Sequence, residues 1–310
     1  MTQDAHTRRQ ILKAAIGGAA GIVLGAPVQR LAAQVAPAGA VAERLADDLF
    51  VLRIPGETNV VAYTTADGVV LVDGVSAGGT DVLMKAVAAL PGGRPVQTLF
   101  NTHWHPEHTG LNEQLGKAGR TIIAQENTRL WLATDVTWPW NNRRFKRLPK
   151  VAQPNKSFYT SGELNPSVKY GYIPDSAHTD GDLYVHFPNQ NVLAVGDVMS
   201  SQAWPVVDYI TGGWIGGLVG AHQRLLTMAD AQTRIVPARG PVLGLADLKT
   251  HASMYSTIYD RLSTLLNKGR GPAEAVEAKP TKEFDAQMGN GDEFVRRAFE
   301  SLWGYLSPDA

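Results

Sequence analysis

The chain of 310 residues carries 29 basic and 29 acidic side chains, so its formal net charge at pH 7 is zero. A neutral chain gives no electrostatic reason to expect nucleic acid or an anionic membrane surface as a partner. It contains no cysteine, which excludes disulfides, a thiolate nucleophile and any cysteine-ligated zinc or iron–sulfur site. Any metal must therefore be held by nitrogen and oxygen.

The N-terminal segment resembles a twin-arginine export signal. Arg8 and Arg9 precede a hydrophobic residue, a lysine and the apolar, glycine-rich run 14–26. That run is far shorter than the ~20 residues that a membrane-spanning helix needs. We expect residues 1–40 to form the signal peptide with its alanine-rich cleavage region. The twin-arginine machinery would then deliver a periplasmic or secreted protein with no stable membrane insertion.

The first half of the mature chain alternates predicted strands and helices. Strands are expected at 49–54, 58–65, 69–73, 95–100 and 121–124, and helices at 80–90, 110–118 and 126–134. Residues 135–150 interrupt this rhythm with tryptophans and then with basic side chains. This block is equally consistent with a packing insertion and with a lid over a site.

The second half repeats the same alternation. Strands are expected at 168–173, 183–187, 192–195 and 234–237, and helices at 214–229 and 246–267. We expect residues 41–245 to form one domain and residues 246–310 to be a helical extension packed on it. Two strand-rich halves with helices outside predict a mixed α/β (α+β) fold, a four-layer αββα sandwich, with a site where the strand ends meet.

The densest group of metal-binding residue types follows the strand at 95–100. His103, His105 and His108 lie within six residues, together with the carboxylate of Glu107. Histidines two apart on an extended backbone point the same way, so His103 and His105 can bind one ion from one side. Glu107 and His108 follow within a turn and can face the same ion or a neighbouring one. Such a cluster is typical of a metal site.

Two further candidate ligands lie on loops that leave strands of the second half. His178 follows the strand at 168–173, and Asp197 follows the strand at 192–195. Three other histidines lie within predicted strands or helices and are expected to be structural: His186, His222 and His251.

These motifs resemble those of the metallo-β-lactamase-fold superfamily. The segment 103–108 is similar to its His-x-His-x-Asp-His signature, His178 to its next histidine, and Asp197 to the bridging aspartate of its hydrolase branches. Asp73 matches an acidic residue that lies behind the metals. The resemblance runs in register from about residue 48 to 244 and implies a four-layer fold with a metal-dependent hydrolase site.

Two departures from the family pattern affect the expected metal site. Glu107 stands where the family usually has aspartate, so its carboxylate lies one methylene further out. Arg239 stands where the last metal-binding histidine belongs, and arginine cannot ligate a metal. We expect Arg239 either to pair with Asp197 or Glu107 and replace part of the missing charge, or to hold an anionic group of the substrate.

The resemblance thus implies one complete and one incomplete ion site. The complete site has three imidazoles: His103, His105 and His178. The incomplete site has a glutamate, a histidine and the bridging aspartate: Glu107, His108 and Asp197. We expect one firmly bound zinc ion. The alternative is a second, weaker ion on the incomplete set with water.

Zinc with three nitrogen ligands keeps an open position and lowers the pKa of bound water to about 7. The resulting hydroxide would attack a carbonyl that the ion or Arg239 polarises, while Asp197 orients the nucleophile and passes a proton to the leaving group. We assign Asp197, Glu107 and Arg239 to catalysis. The resemblance implies hydrolysis of a small molecule, and we favour an ester, thioester, lactone or β-lactam because the sequence has no basic phosphate cradle.

Two other functions agree with the same residues. Some members of the superfamily bind iron through residues that match His103, His178 and Asp197, and act as dioxygenases. A non-catalytic binding protein is the second alternative, because Arg239 would then mark a degenerate second metal site.

Overall fold

The computed structural model describes residues 34–35, 39–174 and 176–306. The twin arginines, the apolar run and nearly all of the expected signal region 1–40 lie outside the described residues. Within the described ranges, no helix is both long and apolar enough to cross a membrane.

The described residues form strands that build two large sheets and one separate hairpin. In chain order the strands are β1 (Gln34–Val35), β2 (Val41–Arg44), β3 (Leu49–Arg53), β4 (Val60–Thr64), β5 (Val69–Val72), β6 (Val96–Phe100), β7 (Thr121–Gln125), β8 (Val136–Trp138), β9 (Arg143–Phe145), β10 (Lys156–Phe158), β11 (Ser161–Asn165), β12 (Val168–Tyr172), β13 (Leu183–Phe187), β14 (Val192–Ala194) and β15 (Arg234–Val236).

Both sheets combine an antiparallel part with a parallel part. The first has the order β1-β2-β3-β4-β5-β6-β7-β10, antiparallel up to β5 and parallel from β5 onwards. The second has the order β11-β12-β13-β14-β15, and only its β14–β15 pair is parallel. Parallel neighbours need crossover segments, which here contain helices.

Helices follow the strands in both halves. They are α1 (Thr80–Ala88), α2 (Pro106–Thr109), α3 (Asn112–Lys117), α4 (Glu126–Leu132), α5 (Ile215–Met228), α6 (Leu245–Asn267), α7 (Pro272–Glu277), α8 (Asp285–Met288) and α9 (Asp292–Leu306). The helices from Leu245 onwards belong to the same compact unit as the two sheets.

The order of the layers follows from the period-two alternation of buried strand residues. In β3, Leu49 and Val51 contribute to the core between the two sheets, whereas Phe50 and Leu52 contribute to the core beneath α1 and α3. A third core packs the outer face of the second sheet against α5, α6 and α9. The predicted mixed α/β architecture is confirmed, with helix, sheet, sheet and helix layers.

The structure differs from the predicted elements mainly where side chains are polar. The helix predicted at 110–118 is present as α3, with narrower bounds. The additional short helix α2 begins at Pro106, because proline suits the first helical turn. Glu107 and His108 therefore lie on a helical turn. The strands β10 and β11 were not predicted, because their exposed, polar residues lack an apolar alternation.

His222 is a buried titratable residue in the helical layer. Its side chain is buried in α5, and its Nδ1 lies 2.8 Å from the carbonyl oxygen of Leu218. Burial, which disfavours the imidazolium, lowers its pKa to about 4. Because the unfolded chain has a histidine pKa of about 6.5, the unfolded state binds the proton first as the pH falls.

We expect stability to fall by on the order of 3 kcal/mol between about pH 6.5 and pH 4 through this residue, with no such loss above pH 6.5. The variant His222→Leu should lose much of that dependence, as measured by urea unfolding at pH 7 and pH 4.5. Gln223→Leu, an exposed change on the same helix, is the matched control. An unchanged pH dependence in a folded His222→Leu protein would show that other groups cause the acid sensitivity.

Candidate metal centre

Four of the predicted ligands meet at the ends of strands from both sheets. His103 and His105 follow β6, His178 follows β12, and Asp197 lies in a short turn after β14. Their candidate ligand atoms all lie within 4.8 Å of one another. The fold thus brings together residues that are almost 100 positions apart in the sequence.

Each of the first two histidines has one ring nitrogen beside an oxygen and one without a partner. His103 Nδ1 lies 3.1 Å from the hydroxyl of Thr102, and His105 Nε2 lies 3.0 Å from Oδ2 of Asp208. The other nitrogens, His103 Nε2 and His105 Nδ1, are buried and make no hydrogen bond within the described structure. Burial and the neighbouring imidazoles hold the pKa of His103 well below its usual value, so its ring is neutral and keeps a free lone pair.

His178 completes the set in the same way. Its Nδ1 lies 3.4 Å from Oδ1 of Asp182, and its Nε2 is buried without a hydrogen-bond partner among the described residues. The rings of His103, His105 and His178 have centroids 4.6 to 4.7 Å apart and stand nearly perpendicular to one another. Three converging imidazole nitrogens that lack any other partner fit a divalent metal ion, and the tautomer that each oxygen favours leaves the free nitrogen available.

The carboxylate of Asp197 lies beside this triad. Its Oδ2 is 3.6 Å from His178 Nε2 and 3.9 Å from His103 Nε2, and its Oδ1 is 3.4 Å from His108 Nε2. Burial disfavours its charge, but the surrounding imidazoles, above all that of His108, hold its pKa well below the usual value. Asp197 is therefore an ionised carboxylate between the three-imidazole site and His108.

Asp73 lies behind the centre and fixes two of its neighbours. It accepts hydrogen bonds from the backbone nitrogen and the hydroxyl of Thr102, and its Oδ2 lies 2.8 Å from His108 Nδ1. Its own φ of 68° is unusual for a residue with a side chain. Burial disfavours a charge on His108, yet Asp73 and Asp197 outweigh it and raise the His108 pKa well above its usual value.

The second set of predicted ligands is only partly assembled. His108 faces Asp197, but Glu107 is outside the group of ligand atoms within 4.8 Å of one another. The backbone oxygen of Glu107 accepts a hydrogen bond of 3.0 Å from Thr58, and its carboxylate makes no hydrogen bond or ion pair with the described residues. Of the two carboxylates predicted to share the second ion with His108, only that of Asp197 therefore lies against it.

Arg239 lies in the segment that follows β15, beside the segment that follows Asp197. Its backbone forms a parallel bridge with Ser200. Its side chain is partly buried and makes no hydrogen bond or ion pair with any described residue, so the expected pairing with Asp197 or Glu107 is not formed.

Two residues that the sequence motifs did not indicate hold His105 in place. Asp208 is fully buried, and its Oδ2 faces His105 Nε2 and also accepts a hydrogen bond of 3.2 Å from Trp138 Nε1. Burial would raise the Asp208 pKa, but the hydrogen bond with His105 and the electrostatic attraction to that ring hold it below the usual value. The only sequence signal was a carboxylate within the apolar loop Val206-Val207-Asp208.

Trp138 belongs to the hairpin formed by β8 and β9, within the block that was predicted to be either a packing insertion or a lid. Its indole packs edge-on against His105, with ring centroids 5.1 Å apart, and also contacts Trp104 and Phe145. The hairpin is therefore anchored to a candidate metal ligand through buried aromatic contacts.

The sequence of this chain matches the model of a known protein family. Residues 53–252, well over half of the chain, match the model of the metallo-beta-lactamase superfamily. The chain belongs to the metallo-beta-lactamase superfamily. Together with the histidine and aspartate cluster, this membership indicates a divalent metal site and a metal-dependent hydrolase.

Solved structures of this superfamily share the fold. A metallo-beta-lactamase from Pontibacter korlensis has 19% sequence identity and a TM-score of 0.56, over 70% of this chain and 99% of that one. The DIM-1 metallo-beta-lactamase has 17% identity and a TM-score of 0.55, over 70% and 97%. TMB-1 has 17% identity and a TM-score of 0.56 over the same shares. These identities show likeness of fold alone. No curated protein matches the chain.

Because Asp208 contacts His105, a substitution of Asp208 should change the affinity of the site for metal. Asp208→Asn keeps the shape but removes the charge that holds His105 Nε2, and losing such an outer partner typically weakens metal binding by about 10- to 100-fold. We expect a loss of that size when zinc is titrated against a chromophoric chelator. Asp135→Asn, which changes an exposed carboxylate on the hairpin side, is the control. A folded Asp208→Asn protein with unchanged affinity would contradict this role.

Proposed function

We propose that the protein is an exported zinc-dependent hydrolase that acts on a carbonyl substrate, such as an ester, thioester, lactone or β-lactam. The observation that carries the proposal is the convergence of three buried imidazole nitrogens, none with a hydrogen-bond partner among the described residues, beside an ionised aspartate. Three nitrogen ligands leave a zinc ion an open coordination position, which is the arrangement of catalytic zinc sites in proteins.

The residues of the chain have distinct roles in this reaction. His103 Nε2, His105 Nδ1 and His178 Nε2 would hold the ion, which when bound supplies Lewis acidity and activates a water at neutral pH. Asp197 is ionised and therefore able to orient that water, accept its proton and pass it to the leaving group. Arg239 and Glu107 are also proposed to contribute to catalysis, Arg239 through its positive charge.

We propose a single firmly bound ion. One zinc ion is expected on the three imidazoles, because Glu107 is apart from the other ligand atoms and Arg239 supplies no lone pair. A second, weaker ion on Glu107, His108 and Asp197 would require Glu107 to move and His108 to lose its proton.

One observation favours a second candidate function, an iron-dependent dioxygenase. His103 Nε2 and His178 Nε2 both lie within 3.9 Å of Asp197 Oδ2. Two histidines and one carboxylate on one side of an ion are typical of non-haem iron oxygenases. The identity of the bound metal separates the two functions.

We expect the purified protein to contain about one zinc per chain and to hydrolyse a member of a panel of chromogenic esters, lactones and β-lactams. A chelator should abolish turnover and zinc should restore it, whereas His103→Ala should lose both zinc and turnover. His186→Ala, a half-buried histidine away from the centre, is the matched control and should keep both.

Metal analysis decides between the alternatives. Stoichiometric iron with oxygen uptake would replace the hydrolase with the dioxygenase. A zinc-loaded protein that turns over nothing in the panel would favour a non-catalytic binding protein.

The export proposal rests on the twin arginines and the short apolar run that follows them. The proposed partner is the twin-arginine export machinery, which reads the paired guanidinium groups, and the mature protein would be periplasmic or secreted. We expect the double variant Arg8→Lys, Arg9→Lys to remain in the cytoplasm with its N-terminal segment uncleaved, as measured by cell fractionation and mass spectrometry. Lys13→Arg is the control. Normal export of the double variant would contradict this route.

A further inference from the structure

The loop that carries Asp208 contacts two of the candidate metal ligands. Residues 199–214, which we call the Asp208 loop, lead into α5. The backbone nitrogen of Asp208 donates to the oxygen of His178 at 3.1 Å, while its carboxylate faces His105. A Cβ atom on Gly213 would collide with the oxygen of His178, so the loop lies directly against the backbone of that ligand. The position of the Asp208 loop therefore affects two of the three imidazoles.

The C-terminal helix α9 packs against both ends of this loop. Near its start, Trp204 stacks on Phe294 of α9, with ring centroids 4.6 Å apart. Where the loop passes into α5, the nitrogen of Ile215 donates to the hydroxyl of Ser301 at 3.2 Å. Helix α9 lies beyond residues 53–252, which match the family model. A helix outside the matched part of the chain thus borders the loop that contacts the metal ligands.

Arg297 of α9 contacts the hairpin formed by β8 and β9. Its guanidinium carbon lies over the ring of Trp140, 5.8 Å from the centroid, within the range of a cation–π contact. Trp140 stacks on Trp138, with centroids 5.0 Å apart and ring planes inclined by 28°. Trp138 donates to Asp208 and packs on His105. Three successive contacts therefore connect Arg297 with a metal ligand.

Glu300, three residues further along α9, acts on the loop itself. Burial raises the pKa of the Tyr209 hydroxyl, and the neighbouring Glu300 carboxylate raises it further, so this hydroxyl keeps its proton. Tyr209 directly follows Asp208, and its ring packs against Trp140 with centroids 5.1 Å apart. Because residues three apart are neighbours on a helix surface, Arg297 and Glu300 act on one connected aromatic group.

The guanidinium of Arg297 has little freedom to move. Its side chain is only 11% exposed, and its Nη1 lies 3.4 Å from Oε2 of Glu293. Burial lowers the Arg297 pKa, and nearby acidic groups oppose that shift, first Glu293 and then Glu300 and Asp208. Arginine stays protonated in proteins, so this side chain is a permanent positive charge. Such a confined cation can fix the position of the ring that it covers.

We infer that α9 is a positioning element of the metal centre. Arg297 holds Trp140 and Glu300 holds Tyr209, and these two rings keep the Asp208 loop, and with it His105, in place. Arg297 and Glu300 are positioning residues, because they act on the metal ligands through other side chains. The inference concerns the affinity and geometry of the metal site and holds for whichever reaction the metal performs. The C-terminal extension then belongs to the metal centre as well as to the helical layer.

The first test is a zinc titration of the purified protein against a chromophoric chelator. Arg297→Met removes the charge and the planar group but keeps a long apolar side chain, and should weaken zinc binding by about 3- to 10-fold. Arg296→Met is the matched control, because the adjacent, partly buried Arg296 makes no ring contact or ion pair among the described residues. It should leave the affinity unchanged. An unchanged affinity in a folded Arg297→Met protein would overturn the inference.

A double variant shows whether the effect passes through the Asp208 loop. Asp208→Asn already removes the charge that holds His105, so Arg297→Met should cause less than about a twofold further loss in that background. Two losses that simply multiply would show that Arg297 acts independently of Asp208, and the proposed connection would then be wrong.

Cobalt(II) in place of zinc reports the geometry of the ligands through its visible absorption, which a general loss of stability would leave unchanged. The cobalt-loaded Arg297→Met protein should differ from the wild type in this spectrum, whereas Arg296→Met should not. Identical spectra in all three proteins would contradict a positioning role.

Tyr209→Phe provides a milder variant in case Arg297→Met does not fold. It removes only the hydroxyl beside Glu300 and should weaken zinc binding by about 2- to 5-fold, and an unchanged affinity would count against the inference. None of these measurements needs turnover. A protein that binds zinc but hydrolyses nothing would therefore fail the proposed function while the role of α9 is still decided.

Discussion

The candidate metal centre depends on buried imidazoles that each have one ring nitrogen held near an oxygen. Thr102 lies beside His103, Asp208 beside His105, and Asp182 beside His178. A buried nitrogen without a partner is costly, and here three of them point at one another. The oxygens select the tautomers, so the free nitrogens are already oriented before any ion arrives. Binding an ion then satisfies polar groups that folding alone leaves unsatisfied.

The two sheets are joined at this same point. The oxygen of Thr102, in the loop after β6, accepts a hydrogen bond from the nitrogen of Leu183 at the start of β13. Gly196 has a positive φ and lies so close to Thr102 that a side chain there would meet the threonine. The backbone that carries His103 therefore contacts the turn that carries Asp197. Packing of the two halves, which buries the core between the sheets, also assembles the site.

The described residues assemble the second ion position only in part. Glu107 is outside the group of ligand atoms that lie within 4.8 Å of one another, and Arg239 is a cation that offers no lone pair. His108 keeps its place because Asp73 and Asp197 both hold it. The result, within the part of the chain that the structure describes, is one complete three-imidazole site beside an incomplete second set of ligands.

The sequence by itself determined the strands with a clear apolar alternation, such as Leu49 to Arg53, and the density of imidazoles from His103 to His108. Local patterns suffice there, because alternation and ligand spacing are properties of neighbouring residues. Only the tertiary structure decided that Asp208 and Trp138 hold His105, since their contacts join residues 33 to 103 positions apart. The sequence likewise did not determine whether Arg239 forms an ion pair, because that depends on how separate loops pack. Spacing along a chain defines which ligands are available, but the approach of separate loops decides which of them meet.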